Sequence, residues 1–273
     1  MSDIAFIFPG QGSQQVGMGK ELVDNFKVAR ETFEDADEAL GFSISSLCFD
    51  GPEEELKLTQ NTQPAILAMS VACLRVLSEE TGIQPALLAG HSLGEYSSLT
   101  AAGAIGFADA VRTVRLRGTF MQEAVPPGEG AMAAILGLEA DAVAEICKKA
   151  AQGEVVSPAN FNSPWQIVIS GHARAVSRAV EYAMEQDAKK AVMLAVSAPF
   201  HCSLMKPAAE RLDEALKDIP VSDLTTPVIS NADAAPYPSK DEIKHLLVKQ
   251  VDHPVRWDES MREVAKRKIA AVI

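Results

Sequence analysis

The segment Gly90-His91-Ser92-Leu93-Gly94 constrains the fold of this chain more than any other stretch. The apolar run 86–89 precedes it and predicts a strand, and the pattern of residues 95–102 predicts a helix. Strand, Gly-x-Ser-x-Gly and helix are typical of a nucleophile elbow, because the two glycines lack the Cβ atoms that would block so sharp a turn. We therefore expect Ser92 at the tip of the turn as a nucleophile. The alternative is an ordinary turn whose serine only caps the helix.

Backbone amides that could bind an oxyanion are expected at two turns. The amide of Leu93 lies at the positive end of the helix that follows the elbow. The strand-like run 4–8 leads into Pro9-Gly10-Gln11-Gly12, and such a turn borders the site crevice of an α/β protein. Gln11 is therefore the second candidate donor, with an ordinary loop as the alternative. A dinucleotide-binding loop is excluded because Gln15 stands where its third glycine is required.

A nucleophilic serine needs a general base, and His201 is the best placed of the five histidines. It follows the predicted strand 191–196, in a loop constrained by Pro199, and catalytic groups gather at the carboxyl ends of strands. His91 is expected to support the elbow. The remaining histidines lie in polar or charged surroundings and are expected at the surface: His172, His245 and His253.

No acidic residue stands out as the third member of a serine triad. Asp233 and Asp252 are candidates, although each could be an ordinary loop aspartate. Cys202 is a rival nucleophile that no local motif supports. Gln63 is a weak candidate for contacting a ligand.

Arg117 breaks the amphipathic pattern of the predicted helix 108–121. At about 100° per residue it falls between Val114 and Met121 on the apolar face, whereas Arg112 falls on the opposite side. A buried guanidinium is costly unless an anion meets it. The sequence leaves two interpretations open, which are an internal ion pair with an Asp or Glu and a bidentate contact with a substrate carboxylate.

The middle of the chain predicts a separate unit. Its elements alternate as strand, helix, strand, strand, helix and strand, with a turn at 160–164, over 131–136, 140–150, 154–157, 166–170, 173–186 and 191–196. That order is typical of a ferredoxin-like subdomain. We therefore predict an α/β protein in which residues 128–196 form an inserted subdomain and residues 1–127 and 197–273 form the core.

Composition excludes several classes of protein. A net charge of −12 and a pI of about 4.9 argue against a nucleic-acid-binding surface. The four cysteines are far apart and include no Cys-x-x-Cys pair, which argues against zinc and disulfides and favours a reducing cytoplasm. No signal-peptide pattern and no apolar run of membrane-spanning length is present, so we expect a cytoplasmic protein that does not bind membranes.

Several longer motifs follow one another along nearly the whole chain. They are Phe8-Pro9-Gly10-Gln11-Gly12-Ser13-Gln14, Gly90-His91-Ser92-Leu93-Gly94-Glu95-Tyr96, Arg117-Gly118-x-x-Met121-Gln122, Pro199-Phe200-His201-Cys202 and Gln250-Val251-Asp252-His253-Pro254-Val255-Arg256-Trp257. In order and spacing they closely resemble the malonyl-CoA–acyl carrier protein transacylase family of bacterial fatty acid synthesis. Members of that family continue past a strand resembling residues 270–273 into an acidic residue, a Gly-Pro-Gly turn and a closing helix. This sequence stops at Ile273, so an apolar surface is expected where that helix would dock.

The resemblance implies an α/β-hydrolase-like core with a parallel sheet, plus the inserted ferredoxin-like subdomain. It implies a ping-pong acyltransferase that moves the malonyl group of malonyl-CoA to the phosphopantetheine thiol of acyl carrier protein. The implied roles are nucleophile for Ser92, base for His201, a backbone carbonyl orienting the imidazole for Gln250, oxyanion amides for Gln11 and Leu93, and malonyl-carboxylate binding for Arg117. Neither a metal nor another cofactor is implied, and the enzyme is expected to be a monomer.

Two other classes of protein share part of this pattern. A serine esterase or thioesterase would use the same elbow and base but has no need of Arg117 on an apolar face. An esterase also typically has an HGGG-type oxyanion loop, which this sequence lacks. A catalytically silent module that binds a carrier protein fits only if Ser92 is never acylated.

Overall fold

The computed structural model describes residues 3–196 and 198–273, so Ser197, at the predicted boundary of the subdomain, lies outside it. The strands are β1 (Ile4–Phe8), β2 (Leu87–Gly90), β3 (Gly130–Leu136), β4 (Val156–Ser163), β5 (Gln166–His172), β6 (Lys190–Met193), β7 (Val228–Ser230), β8 (Ala235–Pro236) and β9 (Ala271–Val272). The α-helices are α1 (Lys20–Asn25), α2 (Lys27–Leu40), α3 (Ile44–Asp50), α4 (Glu53–Leu56), α5 (Thr59–Thr81), α6 (Gly94–Ala101), α7 (Phe107–Glu123), α8 (Ala140–Ala151), α9 (Ala173–Glu185), α10 (Lys206–Leu216), α11 (Ile243–Asp252) and α12 (Trp257–Lys266). Short 3₁₀ helices cover Ser203–Met205 and Lys240–Glu242. In this described part of the chain, no helix has both the length and the apolar character that crossing a bilayer requires.

The strands form two separate sheets. The first has five strands in the order β8-β7-β2-β1-β9, of which only the β7–β8 pair is antiparallel. The second has four strands in the order β4-β5-β3-β6, and its pairs are antiparallel. The predicted mixed α/β architecture with a parallel sheet is confirmed.

The parallel sheet is buried on both faces because its side chains alternate between the faces and residues of helices pack against each of them. On β1, Phe6 and Phe8 enter the main core together with Val114 of α7. Ala5 of the same strand points the other way, into a smaller cluster that includes Val264 of α12. Since helices cover both faces, a functional site in such a sheet lies at the carboxyl ends of its strands.

The antiparallel sheet also uses its two faces differently, as β3 illustrates. Ile135 packs with Ile146 of α8 and Val176 of α9. Met132 and Ala134 alternate with it and join the main core. One face of this sheet is therefore covered by its own helices, and the other is turned toward the parallel-sheet unit. The observed succession β3-α8-β4-β5-α9-β6 has the order of strands and helices that the sequence predicts.

The predicted turn at 160–164 is wrong over most of its length, because β4 continues to Ser163. This strand pairs with β5 from Val156 opposite Gly171 to Ser163 opposite Gln166, with register shifts between Pro158 and Asn160 and between Phe161 and Ser163. Continued pairing satisfies the backbone polar groups, and here it outweighs the local preference of asparagine, serine and proline for turns. The irregular register accommodates those residues.

Candidate active site

Ser92 lies in the turn between β2 and α6, in the left-handed conformation with a φ of 51°. An added Cβ at Gly90 would lie 1.9 Å from the Gly94 carbonyl oxygen, and one at Gly94 would lie 2.3 Å from the Phe8 carbonyl oxygen. Strand, helix and β1 therefore approach so closely that only glycine fits at both positions. A non-glycine residue in this conformation costs about 1–2 kcal/mol, which the surrounding contacts must offset. The predicted sharp turn at Ser92 is present.

Asn231, which the sequence analysis missed, holds this turn from the neighbouring strand. It directly follows β7, which pairs with β2. Its Oδ1 accepts a hydrogen bond from the Ser92 backbone amide at 2.6 Å, and its Nδ2 donates to the Gly90 carbonyl oxygen at 2.7 Å. The available sequence signal was its position at the carboxyl end of a strand, where neighbouring loops of a parallel sheet meet.

His201 is brought to the nucleophile as predicted. The Ser92 Oγ lies 2.8 Å from the His201 Nε2, and the His201 Nδ1 lies 2.8 Å from the Gln250 carbonyl oxygen. Since a carbonyl oxygen only accepts, Nδ1 carries the proton and Nε2 accepts from the serine hydroxyl. Burial, followed by the positive charge of Arg117, lowers the pKa of His201 to about 3. The imidazole is therefore neutral near pH 7 and able to take a proton.

Neither aspartate proposed as a triad member contacts His201. Asp233 is exposed and pairs with Lys249 at 2.7 Å, and Asp252 contacts His253. The backbone carbonyl of Gln250 occupies the position that a triad carboxylate would take, so both aspartate candidates are wrong. An oxygen of the main chain carries no signature in the sequence, which is why composition and spacing could not single it out.

The other reactive side chains near the site are accounted for by structural contacts. Burial raises the pKa of Cys202, whose thiol donates to the Pro199 carbonyl oxygen at 3.1 Å, so this cysteine is a poor rival nucleophile. His91 contacts Asn162 of β4 at 2.9 Å and so ties the elbow to the antiparallel sheet.

The three histidines that the sequence places at the surface differ in exposure. That expectation is wrong for His172, which is half-buried and accepts a hydrogen bond from the Val155 amide at 2.9 Å. His245 and His253 are exposed.

Arg117 is 1% exposed and points at the nucleophile. Its Nη2 donates to the Ser92 Oγ at 3.2 Å and to the Gln250 Oε1 at 2.8 Å, and its Nη1 donates to the Gln63 Oε1 at 2.8 Å. All of these partners are neutral. Within residues 3–196 and 198–273, no carboxylate forms an ion pair with Arg117, so the direct internal ion pair considered from the sequence is absent. A buried, charged guanidinium beside the nucleophile is suited to an anionic ligand.

The side chain of Gln250 links Arg117 to a buried carboxyl group. Its Oε1 accepts from Arg117, while its Nε2 donates to the Glu95 Oε2 at 2.7 Å and to the Ser92 carbonyl oxygen at 2.9 Å. Glu95 also accepts from the Asn231 backbone amide at 3.0 Å and from the Tyr237 hydroxyl. Burial raises the pKa of Glu95 to about 7, although these hydrogen bonds oppose the shift. Neither Glu95 nor the side chain of Gln250, as opposed to its backbone carbonyl, is among the site groups that the sequence predicts.

Gln11 and Leu93 line the same cavity as Ser92. An added Cβ at Gly10 would lie 2.6 Å from the His91 carbonyl oxygen, so the loop after β1 is pressed against the elbow. Leu93 is the residue that caps α6, where backbone amides point out of the helix N-terminus. Both residues predicted to supply oxyanion amides therefore lie beside the serine.

The cavity in front of Ser92 has a volume of about 250 Å³ and lies between the two sheets. Ser92, His201 and Arg117 line it, together with the amide side chains of Gln11, Gln63, Asn160, Asn162 and Gln166. The antiparallel sheet and the segment after it supply apolar walls, which are Met132, Ala134, Val168, Leu194 and Val196. An extended chain with a polar, acidic end could enter between these walls and place that end beside the serine. Among the described residues, no three histidine, cysteine or acidic side chains are grouped closely enough to hold a metal ion.

Known proteins are similar to this chain over nearly its whole length. The sequence model of the acyl transferase domain family matches residues 5–273. The malonyl CoA-acyl carrier protein transacylase of Bacillus subtilis (strain 168) is 52% identical over 274 residues, which cover 100% of this chain and 86% of that protein.

Solved structures are similarly close. The malonyl CoA-acyl carrier protein transacylase of Coxiella burnetii superposes with a TM-score of 0.98 at 45% identity, over 99% of this chain and 86% of that one. A malonyl-transacylase, PlMCAT, solved with AntF, a type II PKS acyl-carrier protein, has a TM-score of 0.97 at 48% identity, over 99% of this chain and 88% of that one.

Proposed function

This chain belongs to the acyl transferase domain family, and from that premise we propose that it transfers the malonyl group of malonyl-CoA to acyl carrier protein. The acceptor is the phosphopantetheine thiol of the carrier, and the intermediate is a malonyl ester of Ser92. The observation that favours a malonyl group is the buried position of Arg117 beside Ser92. Its guanidinium lies 3.2 Å from the nucleophilic oxygen, and its hydrogen-bond partners among the described residues are all neutral, so it has no direct ion-pair partner there. A malonyl group brings the missing carboxylate.

In the first half-reaction, His201 takes the proton of the Ser92 hydroxyl as the oxygen attacks the thioester carbonyl of malonyl-CoA. The tautomer inferred from the hydrogen-bond partners suits this step, because Nε2 faces the hydroxyl and Nδ1 donates to the Gln250 carbonyl oxygen. The tetrahedral oxyanion forms beside Leu93 and Gln11, whose backbone amides we assign as its donors. Collapse expels CoA, whose sulfur takes the proton from His201.

In the second half-reaction, the thiol of the carrier protein occupies the place that CoA has left. His201, neutral again, takes the thiol proton, and the thiolate attacks the malonyl ester of Ser92. The same amides hold the second oxyanion, and Ser92 recovers its proton as the malonyl thioester leaves. These steps require no metal and no redox group. A solved relative is complexed with an acyl-carrier protein, which supports such a partner here.

The finer description of the fold is part of this proposal. We assign residues 1–127 and 197–273 to an α/β-hydrolase-like core and residues 128–196 to a ferredoxin-like subdomain. The β2–Ser92–α6 turn supports the first assignment. The strand order β4-β5-β3-β6 with two helices on one face supports the second. We propose that the enzyme acts as a monomer in the cytoplasm, a compartment that its widely spaced cysteines suit.

A serine esterase or thioesterase remains the rival activity, because it would use the same serine and histidine. It gives no reason to bury an arginine without a carboxylate partner beside the nucleophile. Incubation with malonyl-CoA and no thiol acceptor separates the two. Steady release of free malonate would favour the rival, whereas a single turnover that stops at the acyl-enzyme favours transfer.

Intact-mass measurement tests the proposed intermediate. After mixing with malonyl-CoA the chain should gain one malonyl mass, and acetyl-CoA should give far less adduct because it brings no carboxylate to Arg117. Ser92→Ala should gain no mass, and addition of acyl carrier protein with its phosphopantetheine should discharge the wild-type adduct. A label that persists in Ser92→Ala, or that maps to Cys202, would rule out Ser92 as the acylated residue.

The pKa of His201 predicts how the reaction depends on pH. Because the pKa is lowered from 6.5 to about 3, the base stays neutral, and kcat/KM for malonyl-CoA should not fall as pH drops through 6.5. A malonyl carboxylate paired with Arg117 weakens the repulsion that helps lower this pKa. The acid limb of kcat should therefore lie at higher pH than that of kcat/KM. Profiles of both parameters check this, and coincident limbs near 6.5 would contradict it.

A further inference from the structure

Among the residues that the structure describes, Glu95 is the one fully buried carboxyl group, and the mechanism above gives it no part in the reaction. It is 0% exposed and sits in the first turn of α6, three residues after the nucleophile. The Glu95 Oε2 accepts from the Gln250 Nε2 at 2.7 Å, and the same amide group presents its Oε1 to the Arg117 Nη2 at 2.8 Å. A single side chain thus separates the buried carboxyl from the buried guanidinium.

The position of the Gln250 amide between Glu95 and Arg117 affects how the guanidinium can bind a substrate carboxylate. A carboxylate paired directly with Arg117 would occupy the donors that a substrate needs and would be displaced only at a cost. With the Gln250 amide between them, the guanidinium is oriented by a neutral acceptor and keeps its remaining donor capacity for a ligand. The orientation of the Gln250 amide depends in turn on what its Nε2 contacts, which are the Glu95 Oε2 and the Ser92 carbonyl oxygen.

We propose that Glu95 is a positioning residue for carboxylate selection, because it holds the Gln250 side chain that aims Arg117 at the acyl group. The inference rests on the proposed malonyl transfer and adds to it a residue that never contacts the substrate. Glu95 also accepts from the Asn231 backbone amide, and the Asn231 side chain holds the Ser92 turn. The carboxyl group therefore sets the arginine and the nucleophile relative to each other.

Glu95 positions Gln250 through the hydrogen bond that it accepts from the Gln250 amide, and not through its charge. The groups that face Glu95 are Arg117 of α7, Tyr96 of its own helix, Tyr237, Gln250 of α11 and the Asn231 amide. Because burial raises the pKa of Glu95 to about 7, the carboxyl group exchanges a proton near neutrality. In either form its Oε2 still accepts from Gln250, since a proton on Oε1 would face the Tyr237 hydroxyl, which can accept it.

Two substitutions of Glu95 separate the effect of side-chain length from the effect of charge. Glu95→Gln keeps the length of the side chain, so its carbonyl oxygen can accept from Gln250 and Asn231 while its amide donates to Tyr237. Glu95→Asp keeps the carboxyl group but is one methylene too short to reach Gln250. We expect Glu95→Gln to keep the wild-type ratio of kcat/KM for malonyl-CoA to that for acetyl-CoA. Glu95→Asp should lower that ratio on the order of tenfold, as loss of a hydrogen bond that orients a ligating side chain does in metal sites.

A matched control removes a different hydrogen bond from the same carboxyl group. Tyr237→Phe deletes the contact to the Glu95 Oε1 and leaves that to Gln250 intact, so it should alter the melting temperature but not the donor ratio. Gln250→Met deletes the bridging amide while its backbone carbonyl still orients His201, and it should lower the ratio as Glu95→Asp does. If Glu95→Asp does not fold, Gln250→Met tests the positioning role in its place.

Kinetics of the wild type and these variants with both donors complete the test. The loss in Glu95→Asp should appear in KM and in the acylation rate for malonyl-CoA, with acetyl-CoA little changed. An unchanged ratio in Glu95→Asp or Gln250→Met, or an equal loss with both donors, would overturn the positioning role. A wild type that never transfers malonyl would instead refute the proposed function, so the two failures are distinguishable.

Discussion

Replacing His201 by alanine is expected to lower the rate of Ser92 malonylation by about 10⁴-fold or more, as removal of the base does in other serine enzymes. Within the described part of the chain, the Ser92 hydroxyl has one basic partner, the His201 Nε2 at 2.8 Å, and its other contact is a donor, the Arg117 Nη2. Without the imidazole, the hydroxyl proton has no acceptor inside a buried site. Single-turnover acylation followed by intact mass measures the loss directly.

The matched control for this experiment is His253→Ala, because the His253 side chain is exposed and hydrogen-bonds to Asp252, and the substitution leaves the His253 backbone beside His201 in place. Its acylation rate should equal that of the wild type. Added imidazole should restore part of the activity of His201→Ala, since the substitution leaves a space of the right shape facing both Ser92 and the Gln250 carbonyl oxygen. A loss of less than tenfold would mean that another group removes the proton.

The parts of this site that sequence reasoning predicted are those with strong local causes. A turn as tight as that at Ser92 requires glycine on both sides, and the structure shows why, since a Cβ at Gly90 or Gly94 would collide with backbone. The helical periodicity placed Arg117 on the buried face of α7, where it is found. His201 follows from its position after a strand. Each of these signals lies within about ten residues of sequence.

The parts that could not be predicted depend on contacts between distant segments. Asn231 lies 139 residues from Ser92, and Gln250 lies 155 residues from Glu95, yet both pairs are hydrogen-bonded. Nothing in the sequence near Glu95 distinguishes it from an acidic residue in the exposed first turn of a helix, where such residues are common. The hydrogen bonds that it accepts come from Asn231, Tyr237 and Gln250, all more than 130 residues away in sequence. Long-range packing of this kind has no short sequence signature.

Replacing Arg117 by alanine is expected to remove the preference for malonyl-CoA over acetyl-CoA. A charge-assisted contact between the guanidinium and a carboxylate in this buried site contributes about 2–5 kcal/mol, which corresponds to a loss of roughly 30- to 4,000-fold in kcat/KM for malonyl-CoA. Acetyl-CoA has no carboxylate to lose and should keep or gain activity, because the cavity becomes neutral. Measurement of kcat/KM for both donors tests this.

Arg115→Ala is the matched control, since Arg115 lies on the same helix but contacts Asn61 and the Phe42 ring, away from the cavity. It should leave both donors unchanged. Because Arg117→Ala also removes a partner from Gln63 and Gln250, the melting temperature of each variant must be recorded alongside the kinetics. A folded Arg117→Ala that loses both donors by the same factor would mean that Arg117 is structural and that the carboxylate site lies elsewhere.

Arg117→Lys shows whether charge alone is enough. An ammonium group keeps the positive charge but cannot donate at once to Gln63, Gln250 and a substrate carboxylate in the planar arrangement that the guanidinium provides. We therefore expect Arg117→Lys to recover little of the malonyl activity. Nearly full recovery would mean that a point charge near Ser92 suffices and that the fixed orientation supplied by Gln63 and Gln250 does not matter. Partial recovery in KM with a low kcat would show that charge binds the carboxylate while orientation places the thioester for attack.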